Sequence, residues 1–276
     1  MPSITTGELN LLKDFLYRTA GIDLGEGKEY LVSARLNEVC RTLQISSISN
    51  LIGQLHKGKK AVSVAVLEAM TTNETSFFRD AGPFGAITTN ILPDLIEKNR
   101  SKKSLNIWCA ACSTGQEPYS LAMTLRDRFP ELNTWRVKIL ATDIAEGKVL
   151  EKARAGVFTQ LEVSRGLPAP LLIKYFKQKG RDWEISQEIR DMVTFKKVNL
   201  LEIPAFLGTF DLLLCRNVLI YFDNPTKQRI LNSLQRHLCP QGYLILGGSE
   251  LLLGLNQKLQ RFSVGGATCY RHEGAA

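Results

Sequence analysis

A chain of 276 residues with 44% hydrophobic content is long enough to bury one large core or two modest ones. Its longest apolar runs, FDLLLC and the stretch around Leu251, are far too short to cross a bilayer, and the opening MPSITTGELN has neither the basic start nor the apolar centre of a signal peptide, so the expected location is the cytoplasm. The formal charge of +8, concentrated in Lys28–Lys60 and Arg165–Lys197, admits an acidic partner without choosing among nucleic acid, membrane surface and protein.

Thr5 and Glu8 make the pattern of a capping box, Leu9, Leu12 and Leu16 follow at helical spacing, and Gly21 ends the segment. A second helix carries Val32, Leu36, Val39 and Leu43 on one face. Residues 1–70 are therefore expected to form a small all-helical domain, followed by a linker over 71–89 that carries TTNETSFFRD. From about Leu105 apolar strands alternate with helices: LNIWCA, a helix from Gly115 to Phe129, VKILATD, a helix from Ala145 to Ala153, MVTFKKV, FDLLLCRN, a helix from Pro225 to Leu238, YLILGGSE, and a last strand near Thr268–His272. That order implies an α/β domain over 90–276 with a mainly parallel, doubly wound sheet covered on both faces. Residues 156–191, rich in Gly, Pro, Lys and Arg, are too many for a plain helix-to-strand connection and are expected to form an inserted subdomain.

IWCAACSTGQEPYSLAM, Ile107–Met123, supplies the first strand, turn and helix of that sheet, where ligands bind outside the carboxyl ends of the strands. The dinucleotide fingerprint is absent. Only Gly115 remains, and Ala110, Ala111, Cys112 and Ser113 fill the turn, so a ligand can approach the backbone but no pyrophosphate cradle is expected. Glu117, in the first helical turn, would repel a phosphate and attract the amino group of a zwitterion; the competing reading pairs it with Thr114 as a capping box. Asp143 closes the second strand, where a carboxylate can hold two ribose hydroxyls, unless it merely caps the next helix. A nucleoside without phosphates, carrying an amino-acid tail, describes S-adenosylmethionine. Cys109 and Cys112 form a CxxC, yet there is no second pair, and His56, His237 and His272 are remote in sequence. No metal is expected, and the six cysteines (Cys40, Cys109, Cys112, Cys215, Cys239, Cys269) read as reduced, buried thiols.

TTNETSFFRD (Thr71–Asp80) and CRNVLIYF (Cys215–Phe222), taken with Ile107–Met123, Asp143 and Asn199–Leu200, closely resemble the CheR family, S-adenosylmethionine-dependent methyltransferases that esterify glutamates of bacterial chemoreceptors. The likeness covers nearly the whole chain. It implies a Rossmann-like class I methyltransferase fold with a helical N-terminal domain and an insert before the third strand, and S-adenosylhomocysteine as product. The implied partner is the cytoplasmic domain of methyl-accepting chemotaxis receptors, met by a monomer that binds no nucleic acid and is not inserted in the membrane. By the same resemblance Asn73, Thr75, Arg79, Glu117, Asp143, Asn199, Leu200, Arg216 and Asn217 match positions that contact the cofactor, and Arg79 and Tyr221 match those nearest the transferred methyl. Ala111 stands where the family usually has glycine, and Gln116 where it often has a second glutamate. In the insert, KQKGRDWEIS has one glycine and the bulky Trp183 where some members grip a receptor's C-terminal peptide through a glycine-rich turn, which leaves tail docking open.

Lys28 and Arg35, seven residues apart, are expected to share a face of the second helix opposite its apolar stripe and to meet an acidic receptor helix. Two other readings compete with ester formation. A nucleic-acid amino-methyltransferase typically places an Asn/Asp-Pro-Pro-aromatic motif at the fourth strand's end, where CRNVLIYF has no proline pair. A non-catalytic cofactor sensor would keep Asp143 and Glu117 yet could lose Arg79 and Tyr221, and this chain has all four.

Overall fold

The computed structural model describes residues 4–25, 27–250, 258–265 and 267–272, so the apolar run around Leu251 lies outside the described residues. Four helices come first: α1 (Thr6–Ala20), α2 (Glu29–Thr42), α3 (Ile48–His56) and α4 (Lys60–Met70). The first starts where Thr5 and Glu8 satisfy one another, the Glu8 carboxylate accepting the Thr5 N–H at 2.9 Å and Thr5 Oγ1 accepting the Glu8 N–H at 3.3 Å. It stops at Gly21, whose φ of 69° turns the chain out of the helix while its N–H still reaches the Tyr17 carbonyl at 2.8 Å. Leu9, Leu12 and Leu16 pack with Val32, Leu36, Leu51 and Val66, which gives these helices a core of their own.

The segment after α4 has neither helix nor strand as far as Asp80. Beyond it the expected linker is already helical, as α5 (Ala81–Ala86) runs through a π-helical turn, Ile87–Ile91, into α6 (Leu92–Asn99). Then come β1 (Ser104–Ala110), α7 (Gln116–Arg128), β2 (Arg136–Asp143) and α8 (Lys148–Ala155). The insert consists of β3 (Val157–Thr159), α9 (Gln160–Ser164), α10 (Ala169–Tyr175), β4 (Phe176–Lys179), β5 (Asp182–Ile185) and α11 (Gln187–Arg190). The chain resumes the main sheet with β6 (Val193–Lys197), β7 (Phe210–Cys215), α12 (Asn224–Arg236), β8 (Leu238–Leu246), β9 (Leu259–Val264) and β10 (Ala267–His272). Of these, β9 is a strand that the sequence reading did not expect.

Seven strands make the main sheet in the order β6-β2-β1-β7-β8-β10-β9. The first five in that order run parallel, and β10 and β9 close the edge as an antiparallel hairpin. Central parallel strands are apolar throughout because alternate residues enter opposite cores. Ile107, Cys109, Leu212 and Leu214 join the core that contains Leu95 of α6 and Leu121 of α7. Trp108, Ala110, Leu213 and Cys215 join the other, with Ile230, Leu231 and Leu234 of α12. From β1 the chain moves outward to β2 and β6, then crosses back to lay β7 on the other side of β1, so a crevice opens at the carboxyl ends of β1 and β7.

The insert is a three-stranded antiparallel sheet, β3-β5-β4. Phe158 and Phe176 from this sheet meet Phe77 edge-on, with ring centroids at 5.0 and 5.7 Å. Phe77 is fully buried, so the stretch TTNETSFFRD is held by its own aromatic side chain. Among the described residues no helix is long and apolar enough to cross a membrane.

Candidate active site

At the switch point lies an open cleft that encloses about 1010 Å³ when the solvent in its mouth is counted. Its walls come from the helical region, the irregular segment after α4 and the residues at and beyond the ends of β1, β2, β6 and β7. Asn73, Thr75, Arg79, Glu117 and Asp143 line it, and so do Asn199, Leu200, Arg216, Asn217 and Tyr221.

Asp143 is the last residue of β2 and is buried. Its Oδ2 accepts the Ser113 N–H at 2.8 Å and its Oδ1 the Ala145 N–H at 3.0 Å. The helix expected from Ala145 starts only at Lys148, with Gly147 as its cap residue, so Asp143 is not a helix cap; it ties the turn after β1 to the end of β2. Burial pushes its pKa up, and these backbone donors oppose the rise. In the turn itself Ala111 and Ser113 sit at φ 59° and 51°, in the left-handed region where a side chain costs roughly 1–2 kcal/mol.

The Thr114–Glu117 capping box does not form. The cap residue of α7 is Gly115, no side chain makes a capping bond there, and Thr114 Oγ1 donates to Gln116 Oε1 at 2.8 Å. Glu117 instead accepts from Arg216 Nη1 at 2.8 Å. Burial raises the Glu117 pKa, and the Arg216 charge pulls it back.

Arg216, directly after β7, is a strut through the site. Its side chain is 1% exposed; Nη2 donates to Asp80 Oδ2 at 2.9 Å and to the Arg79 carbonyl at 2.6 Å, and the guanidinium stands 5.5 Å from the Phe84 ring centre. Nε is buried with no hydrogen-bond partner among the described residues. The segment after α4 is pinned at further points, because Ser113 Oγ donates to the Asn73 carbonyl at 2.9 Å and the Phe78 N–H donates to Ser120 Oγ at 3.0 Å. Arg79 Nη1 donates to the Glu74 carbonyl at 2.9 Å. Asn199 spends its side chain on the fold: Nδ2 donates to the Thr19 carbonyl at 2.7 Å and Oδ1 accepts the Leu201 N–H at 3.0 Å.

This lining suits a nucleoside with an amino-acid tail. The carboxylates of Asp143 and Glu117, a turn of small residues, the apolar side chains of Ile144, Val198 and Leu200, and one buried guanidinium N–H without a partner fit hydroxyls, an ammonium group, an aromatic base and a carboxylate. Cys109 and Cys112 are buried thiols whose pKa values burial lifts well above the usual range.

One expected pairing is corrected. Lys28 is exposed, whereas Arg35 turns inward and donates from Nη1 to the carbonyls of Met70 at 3.1 Å and Thr71 at 3.4 Å, so the two do not form a free basic patch. Sequence reasoning also missed contributors. Ala20, Ile22 and Met70 wall the cavity from the helical region, and nothing in their local pattern distinguishes them from core residues. Ser120 and Glu250 bond the site's backbone, as does the expected turn residue Ser113; of the two that were missed, only Glu250, a charge four residues beyond the buried strand β8, carried a readable signal.

The strand order, ending in an antiparallel hairpin, and a switch-point cavity without a phosphate cradle are those of the Rossmann-like, S-adenosylmethionine-dependent methyltransferases. Family models agree: "CheR methyltransferase, SAM binding domain" matches residues 73–267, and "CheR methyltransferase, all-alpha domain" matches residues 7–71. Chemotaxis protein methyltransferase 1 of Pseudomonas aeruginosa is 41% identical over 274 residues, 98% of this chain and 99% of that protein. Chemotaxis protein methyltransferase Cher2 of Pseudomonas putida is 40% identical over 265 residues, 93% of this chain and 95% of that protein. The chemotaxis protein methyltransferase of Borreliella burgdorferi is 36% identical over 265 residues, 94% of this chain and 92% of that protein. The chain belongs to the CheR methyltransferase family, and S-adenosylmethionine-dependent methylation in chemotaxis is its activity.

Proposed function

We propose that the chain methylates side-chain carboxylates of glutamates in the cytoplasmic domain of chemoreceptors, leaving methyl esters and S-adenosylhomocysteine. The observation that carries this reading is that Arg79 and Tyr221 stand on the wall of the same cavity as Asp143 and Glu117. A cation and a phenol hydroxyl suit an incoming carboxylate. The names of the relatives, chemotaxis protein methyltransferases, support a receptor as substrate.

When bound, S-adenosylmethionine supplies an electrophilic methyl on a positively charged sulfur. Asp143 would hold the ribose hydroxyls and Glu117 the amino group, with Arg216 keeping Glu117 in place and offering its unpartnered Nε to the tail carboxylate. The reaction is an in-line displacement by a carboxylate oxygen. Opposite charges cancel along it, so a tight ion pair to the attacking oxygen would stabilise the ground state more than the transition state. Arg79 and Tyr221 therefore aim the carboxylate, a proximity effect, and no general base is needed because the nucleophile is already ionised at neutral pH. The Arg79 bond to the Glu74 carbonyl restrains the guanidinium for this task.

Arg79→Ala tests the assignment. Methyl transfer to a receptor cytoplasmic fragment should fall by about 100-fold, the scale of a misaimed substrate, while the melting temperature stays near wild type. Near-normal turnover would show that Arg79 only braces the segment.

A further inference from the structure

GGSE, Gly247–Glu250, follows β8, and its acid takes no part in the cavity wall. Glu250 is 6% exposed, and among the described residues no cation pairs with it. Its charge is met by backbone donors. Oε2 accepts the N–H groups of Asn217 and Gly247, each at 2.7 Å; Oε1 accepts those of Leu219 at 2.7 Å and Ile220 at 3.3 Å. Charge-assisted bonds of this kind are the strong ones, and three of the four come from a single loop.

That loop runs from Arg216 to Tyr221, and Arg216, Asn217 and Tyr221 all line the cavity. Asn217 sits at φ 57°, a conformation that a non-glycine residue keeps only when its surroundings enforce it. Gly247 shows how closely the parts fit: a Cβ there would lie 2.7 Å from Glu250 Oε2 and 2.8 Å from both the backbone nitrogen and Nδ2 of Asn217. The residue after β8 must be glycine for the carboxylate to reach the loop.

We propose that Glu250 is a positioning residue for methyl transfer, one that shapes the Arg216–Tyr221 loop and so sets Asn217 and Tyr221 against the cavity without touching either ligand. This rests on the reading of the cavity given above. A carboxylate that merely stitched two strand ends together would affect stability alone. A positioning carboxylate affects turnover in a protein that is still folded.

Glu250→Gln in the full chain separates the two, since the amide keeps the size but turns an N–H toward N–H groups. Three readings are needed: hydrogen exchange of the 216–222 segment, S-adenosylhomocysteine affinity by calorimetry, and kcat and KM for transfer to a receptor fragment. The core variant Leu95→Ala, in α6, serves as a control of lowered stability. Exchange at 216–222 should accelerate at least tenfold while β1 and β2 stay protected, and kcat should fall at least 30-fold with KM changing less than threefold. Leu95→Ala should keep its kcat. The proposal is overturned by unchanged exchange at 216–222, by a kcat within threefold of wild type, or by a loss that Leu95→Ala shares at the same melting temperature. If Glu250→Gln does not fold, Gly247→Ala retains the acid but displaces it and must show the same split; a wild-type kcat there is equally fatal. Should the wild-type protein methylate no receptor, the proposed function fails separately, and the exchange reading still decides whether Glu250 shapes the loop.

Discussion

Asp143 accepts two backbone N–H groups and still lines the cavity, so the carboxylate that organises the loop is also the one proposed to meet the ribose. Asp143→Asn keeps the size and removes the charge. It should weaken S-adenosylhomocysteine by about 1.5–3 kcal/mol, or roughly 10- to 150-fold; a calorimetric affinity equal to wild type would contradict a ribose role. Burial raises the pKa of both Asp143 and Glu117 above their ordinary 3.8 and 4.5. A raised acid contributes stability that is complete below the ordinary value and is lost as pH climbs through the raised one. Ligand binding runs the other way, because ribose hydroxyls and an ammonium group require the ionised forms. Affinity for S-adenosylhomocysteine should therefore fall as pH is lowered through that interval, with protons released on binding. Flat affinity down to the ordinary carboxylate range would mean that neither acid contacts the ligand.

At the scale of elements, what was legible had a periodic or capped signal. Thr5, Glu8 and Gly21 bracket α1 as read, and β1 and β7 announce themselves as apolar runs because both their faces are buried. The insert was visible only as a length, since strands such as Phe176–Lys179 are mostly exposed and carry no clear alternation. A helical wheel places Arg35 on a face but cannot show that its long side chain reaches back to the end of α4. The lining of the site was legible because its motifs are short and contiguous; the backbone bonds that hold those motifs, such as Ser120 to Phe78, join positions far apart in sequence. Gly21 links one element to the next. An added Cβ would stand 2.9 Å from Leu201 Cδ2 and 3.0 Å from Thr226 Cγ2, in a left-handed conformation besides. Gly21→Ala should thus cost about 1–3 kcal/mol, through both strain and overpacking. A thermal melt indistinguishable from wild type would show that the end of α1 does not pack on this surface.

Across the whole molecule, the helical region is built into the site. Tyr17 donates to Asp223 Oδ2 at 2.8 Å, the Asp23 N–H reaches the Tyr221 carbonyl at 3.2 Å, and Glu68 of α4 accepts the Gly147 N–H beside the end of β2. These bonds cross between the helices and the sheet beside the cavity, so the substrate proposed to enter it would be met by both. The chemistry proposed for that meeting has a pH signature, because a glutamate with a reference pKa near 4.3 is ionised throughout the neutral range and turnover should be roughly level from about pH 6 to 8. A lysine nucleophile, with a reference near 10.4, would normally give a rate that climbs over the same range. The most direct measurement follows the bond that is made. A receptor cytoplasmic fragment is labelled from methyl-labelled S-adenosylmethionine, the pH is raised, and the vapour is collected. A methyl ester on a glutamate is cleaved by mild alkali, so the label should leave the protein as volatile methanol. Label that stays on the protein after alkali would mean the acceptor is not a carboxylate, even if every cofactor contact is correct.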